Sequence, residues 1–147
     1  MSLKERLQEE MKSAMRAKDK DRLSTIRLML AELKRVEVDE RIELPDERIL
    51  AILDKMQKQR RDSINQFEQA KREDLAAKER SELEVIAEFL PEPLGEAELN
   101  ALIDAAIAEV GASSMADMGK VMALVKPKAQ GRADMSEISK AVKGRLG

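Results

Sequence analysis

Apolar residues recur every three or four positions along almost the whole chain, and this spacing limits its fold more than any other feature. Leu3, Leu7, Met11 and Ala14/Met15 form one stripe, opened by Ser2 and Glu5 in a capping-box arrangement. Leu23, Ile26, Leu30 and Leu33 form a second, with Asp19 or Asp21 placed to cap it. Between Val36 and Leu44 apolar and charged residues alternate, but no second strand pattern exists to pair with them. The segment therefore reads as a frayed helix end and loop.

Pro45 sits where a first helical residue belongs, followed by Asp46 and Glu47 at the positive end of a helix dipole. Ile49, Ile52/Leu53, Met56, Arg60, Ile64, Phe67 and Lys71 then predict a helix of about 25 residues with a nearly apolar-free middle. A further stripe runs through Leu75, Glu79, Leu83, Ile86 and Phe89/Leu90. Such a narrow apolar seam predicts a helical hairpin projecting from the body, each arm stabilised by the other.

Pro91-Glu92-Pro93-Leu94-Gly95 cannot continue a helix, because the prolines lack an N–H and clash with the preceding turn. The domain boundary is placed there: a helical domain over 1–90, a linker over 91–95 and a tail domain over 96–147. Three shorter helical patterns follow. The first ends at Gly111, and the second is capped by Ser114 and stops before Pro127. The third opens on Asp134 with Glu137 as its box partner. The expected fold is all-α, an N-terminal helical domain with a long hairpin plus a small three-helix tail. Met11, Met15, Met29, Met118 and Met122 are expected to fill the core.

Histidine, cysteine, tryptophan and tyrosine are absent, and the only aromatics are Phe67 and Phe89. This removes disulfides, cysteine- or histidine-ligated zinc, an imidazole general base and a multi-aromatic base-stacking platform. Neither a cofactor nor a metal is expected. No stretch approaches the length of a membrane span, and the N-terminal residues resemble neither a signal peptide nor a typical transit peptide. A cytoplasmic protein is the resulting expectation.

With 27 Lys+Arg against 29 Asp+Glu the chain carries −2, so any basic surface must be local. It is. From Gly119 to Gly147 seven bases face two acids, a local +5 that leaves −7 on residues 1–118. Its centre is Lys126-Pro127-Lys128-Ala129-Gln130-Gly131-Arg132, a connection where Gly131 permits a left-handed turn and the helix beginning at Asp134 offers amides to an anion. The candidate phosphate-binding residues are Lys120, Lys126, Lys128, Arg132, Lys140 and Lys143. The alternative is a solvated connection whose bases complement helix dipoles.

A secondary candidate lies on the hairpin, at Lys58, Arg60 and Arg61, with Asp54, Asp62, Glu68 and Glu73 near enough in sequence to neutralise it. Ser113-Ser114 with Lys120 suggests a serine amidase only superficially. That chemistry needs a rigid oxyanion cradle and a desolvated lysine, whereas helix capping accounts for Ser114. Adjacent carboxylates such as Glu9/Glu10 and Asp46/Glu47 diverge on a helix and match no glycosidase or di-metal pattern. No catalytic residues are assigned.

Four segments carry a recognisable pattern: Lys58 to Ser63 with Phe67, Arg72 to Glu79, Phe89 to Leu94, and Asp117 to Met122 leading to Gly131-Arg132-Ala133-Asp134. With Ala14-Met15-Arg16 and the Leu23–Leu33 stretch, the whole chain resembles the YqeY family. That family is similar to the C-terminal helical and tail region of the tRNA-handling component of the tRNA-dependent amidotransferase. The resemblance implies a two-part helical fold whose tail handles tRNA, with Lys120, Lys126, Lys128 and Arg132 in the tRNA-handling segment. It also implies an association with carbon–nitrogen ligase activity using glutamine, borrowed from the larger enzyme, in which the chemistry lies on other parts. Met135 departs from the glycine usual after Gly-Arg-Ala-Asp. Gly119, inside a helix, suggests close approach of a helix or ligand. The expected function is a non-catalytic tRNA-associated protein. The alternative is a protein–protein module docking on an amidotransferase or another translation component.

Overall fold

The computed structural model describes all 147 residues. They form seven α-helices and one short 3₁₀ turn, with no strand. The chain divides into two compact units, Met1–Leu90 and Pro91–Gly147. No helix is long and apolar enough to cross a membrane.

The first unit contains α1 (Leu3–Arg16), α2 (Lys20–Glu40), α3 (Asp46–Gln69) and α4 (Glu73–Ala87). The Ser2 hydroxyl accepts the Glu5 N–H at 3.2 Å, and the Asp19 carboxylate accepts that of Arg22 at 3.2 Å, fixing the starts of α1 and α2. Leu7, Ile26, Met29, Leu33, Ile49, Leu53 and Ile86 are buried in one core, closed by Leu44, Met56 and Phe89. Most of these fall on the helical apolar stripes and Met29 is among the methionines expected inside, whereas Leu44 comes from the loop before α3. Met15 does not enter this core: it is 49% exposed, because Ala14 takes the inward position of that turn.

Two boundaries differ from the sequence reading. α2 continues through Val36 to Glu40 and ends only at Arg41, whose left-handed backbone (φ 56°) turns the Ile42 N–H back to the Glu37 carbonyl at 3.3 Å. The alternating residues are thus mostly helical, with Val36 half-buried and Val38 exposed. Pro45 is the residue before α3, one position earlier than expected.

Beyond the core, α3 and α4 continue as a hairpin in which Ile64 and Ala76 are buried. Arg60 Nε lies 3.3 Å from Glu82 and 4.0 Å from Glu79 across the pair, while Arg80 binds Glu68 and Glu73. Charge pairing supplies the contact that apolar residues do not.

The second unit contains α5 (Glu96–Val110), the 3₁₀ turn Met115–Asp117, α6 (Met118–Ala129) and α7 (Met135–Leu146). Its core is aliphatic: Ile103, Ala106, Val121, Val125, Ala129, Ile138, Val142 and Leu146. Gly111 ends α5 in the left-handed conformation (φ 70°), where glycine is unstrained. Before α5, the Leu94 N–H donates to the Arg132 carbonyl at 2.7 Å.

α6 does not stop before Pro127. It runs through it to Ala129, since proline so near a helix end forfeits only one late ladder bond. Ser114 makes no side-chain cap; instead the Asp117 carboxylate accepts the Ser113 N–H at 3.1 Å.

Candidate nucleic-acid interface

The second unit separates its charge by helix. α5 carries Glu96, Glu98, Asp104 and Glu109 and no base, whereas α6 carries Lys120, Lys126 and Lys128 and no acid. α7 adds Lys140, Lys143 and Arg145 against Glu137. The unit as a whole has seven bases and eight acids, so its basic region is a matter of arrangement and not of composition.

Arginines and lysines divide the work. Arg132 donates from Nε to the Glu92 carbonyl at 2.8 Å, and its Nη2 lies 3.7 Å from Glu98. Arg145 binds Asp104 and donates to the Asn100 side-chain oxygen at 2.9 Å and to its carbonyl at 3.2 Å. Both guanidiniums therefore fasten the α6–α7 connection and α7 to acidic α5 and its approach, using the several fixed donors that a lysine lacks. Lys120, Lys126, Lys128, Lys140 and Lys143 are all exposed and form no ion pair.

Helical geometry spreads the three α6 lysines over more than half of that helix's circumference and does not gather them on one face. On α6, Lys120 and Lys128 stand about 80° apart around the axis, while Lys126 lies about 120° to the other side of Lys120. Lys140 and Lys143 follow Ser136 along one exposed strip of α7, away from Arg145.

The Gly131 backbone is left-handed (φ 76°), as the turn requires. The anion site expected at the start of α7 is already filled by the chain itself: Asp134 accepts from the Ser136 N–H and hydroxyl, each at 2.8 Å. Gly119 brings nothing close, since a Cβ there would meet no atom within 4 Å. Lys120 and both serines are exposed, so the desolvated lysine that serine activation demands is missing.

On the hairpin, Lys58 and Arg61 are exposed, but Arg60 is committed to Glu82 and Glu79 and only 17% exposed. The two tail arginines and Arg60 find partners far away in sequence. This division was invisible to a reading of local charge.

Fold and surface together define an all-helical, two-unit protein whose tail displays unpaired lysines. A family model described as "Yqey-like protein" matches residues 4–146, and the chain belongs to this family. Among its relatives is "Altered inheritance of mitochondria protein 41, mitochondrial" of Pyrenophora tritici-repentis, 34% identical over 147 residues, covering 97% of this chain and 80% of the relative. Proteins of the same name from Vanderwaltozyma polyspora and Saccharomyces cerevisiae strain YJM789 are 41% and 39% identical over 85 residues, 57% of this chain. The match spans 46% of the length of each of these two yeast relatives. All three names are mitochondrial, which overturns the expectation of a cytoplasmic protein.

Proposed function

We propose that this protein is a non-catalytic tRNA-binding protein that grips the phosphate backbone through Lys120, Lys126, Lys128, Lys140 and Lys143. The observation that carries the reading is the division of labour in the tail: the arginines are spent on the fold and the lysines are left in water without partners. Unpaired ammonium groups on adjacent helices suit a polyanion whose charges are repeated and whose sequence need not be read. The resemblance of the tail to that of the tRNA-dependent amidotransferase favours tRNA as the RNA class. Nothing in this reading requires the cytoplasm, since organellar tRNA presents the same backbone.

The test is titration of the full chain with deacylated tRNA by fluorescence anisotropy across a salt series. Affinity is expected to fall by about 0.7–0.9 log units per phosphate contact for each tenfold rise in salt. Changing the five lysines to alanine is expected to abolish the salt-sensitive binding. Absence of binding at low salt, or equal affinity in the five-lysine variant, overturns the proposal.

A further inference from the structure

The outer face of α2 carries a second surface with a different character. Lys20, Ser24, Arg27, Ala31, Lys34 and Val38 follow one another at alternating spacings of four and three, and all are exposed. Spacing of this kind places them along one side of α2. Lys20, Arg27 and Lys34 form no ion pair. Beside them Leu28 is 44% and Val38 61% exposed. Two shallow grooves of about 430 and 420 Å³ flank the Arg27–Ala31 ridge. Leu23 and Leu28 line one, Met11 and Leu30 the other. Glu37 is the only carboxylate lining either groove, and Lys4 already holds it at 3.0 Å.

We propose that this face docks one amphipathic α-helix of a protein partner, apolar along its contact stripe and acidic on its flanks. The apolar grooves accept aliphatic side chains, and the three unpaired cations select glutamate or aspartate beside them. From Lys20 to Val38 the face runs about 27 Å, enough for five helical turns. An RNA backbone would satisfy the cations but leave Leu28 and Val38 uncovered. A second copy of this chain is a poor occupant, because Glu98 and Asp104 of its most acidic helix are held by Arg132 and Arg145. The surface lies on the first unit and does not depend on the tRNA reading of the tail.

The probe is a stapled, fluorescein-labelled peptide of about five helical turns with leucine at its contact positions and glutamate on both flanks. It is titrated against the full-length protein while backbone amide shifts are followed. Saturable binding is expected, with shifts centred on Ser24, Arg27, Leu28 and Ala31. Arg27→Glu and Leu28→Asp, both at exposed positions, should each weaken it by about tenfold or more with an unchanged helical circular dichroism spectrum. A peptide with lysine in place of glutamate should bind at least about tenfold more weakly. The proposal is overturned if both peptides bind alike, if the α2 amides do not move, or if either variant binds as wild type. It also fails if the protein is a dimer that Leu28→Asp dissociates, or if tRNA moves the α2 amides. Loss of tRNA binding in the tail-lysine variant is a separate outcome that leaves the α2 result standing.

Discussion

The Arg6 guanidinium lies 4.8 Å from the centroid of the Phe89 ring, and its Nη2 donates to the Glu88 carbonyl at 3.2 Å. One side chain of α1 thus caps both the aromatic that closes the first core and the backbone just beyond α4. Arg22 of α2 converges on the same corner, binding Glu88 and, at 3.1 Å, Glu10. Phe89 is 3% exposed, so the corner combines apolar burial with cation–π attraction. Phe89→Ala is expected to cost about 3–5 kcal/mol in urea unfolding. Arg6→Ala should cost about 1 kcal/mol, and the double variant should reveal a coupling of roughly 0.5–1 kcal/mol. Strict additivity in that cycle would show the ring contact to be energetically idle.

Two glycines should respond in opposite directions to alanine. Gly119 is exposed in the first turn of α6, and a Cβ there meets nothing within 4 Å. Gly119→Ala should raise stability by up to about 1 kcal/mol by restricting the unfolded chain. Gly131 holds φ 76° in a buried turn, so Gly131→Ala should lower stability by about 1–2 kcal/mol. Thermal melts of the two variants decide this, and a loss on Gly119→Ala would mean that the site touches something the helix start does not show.

Much of this architecture is legible in the sequence because it is local. Ser2, Asp19 and Asp134 cap helices with their own side chains, Gly111 and Gly131 take the left-handed turns, and the stripes through Leu7, Ile26, Leu53 and Ile86 fall inward. Sequence pattern and structure part where a local preference loses to a neighbour. Val36 packs on the core and carries the helix into the alternating segment as far as Glu40. Pro127 sits close enough to a helix end to be tolerated. In the candidate site the count of charges was readable, but their roles were not. Only tertiary structure brings Arg132 to Glu92 and Glu98, Arg145 to Asp104, and Arg60 to Glu82.

Acid should weaken the first unit in a defined window. A hydrogen bond from Arg35 holds the Glu32 carboxyl below its ordinary value, and Arg80 and Arg72 do the same for Glu73 and Asp74. The folded state then binds fewer protons than the unfolded chain near the ordinary carboxylate range, so stability rises with pH there. The contribution is complete above about pH 5 and is lost as pH falls through the lowered folded values. The chain has no histidine or cysteine, so the urea midpoint should stay nearly flat from about pH 5.5 to 9. A midpoint unchanged between pH 5 and pH 3 would rule out these pairs as contributors.

The division between tail arginines and lysines can be checked by measuring stability and binding on the same variants. Arg132 gives a charge-assisted hydrogen bond to the Glu92 carbonyl at 2.8 Å, and Arg145 bonds to Asn100 and Asp104. Arg132→Ala and Arg145→Ala should each destabilise the second unit by about 1–2 kcal/mol, at the lower end of charged hydrogen bonds because both sites meet water. Lys126→Ala and Lys140→Ala break no pair and should stay within about 0.5 kcal/mol of wild type. Their effect should appear instead in tRNA affinity and in a salt slope reduced by about one contact each. A lysine variant that melts early, or an arginine variant that keeps full stability while losing RNA, would reverse the assignment. The guanidiniums would then be the binding groups, and their bonds to α5 a resting arrangement that RNA displaces.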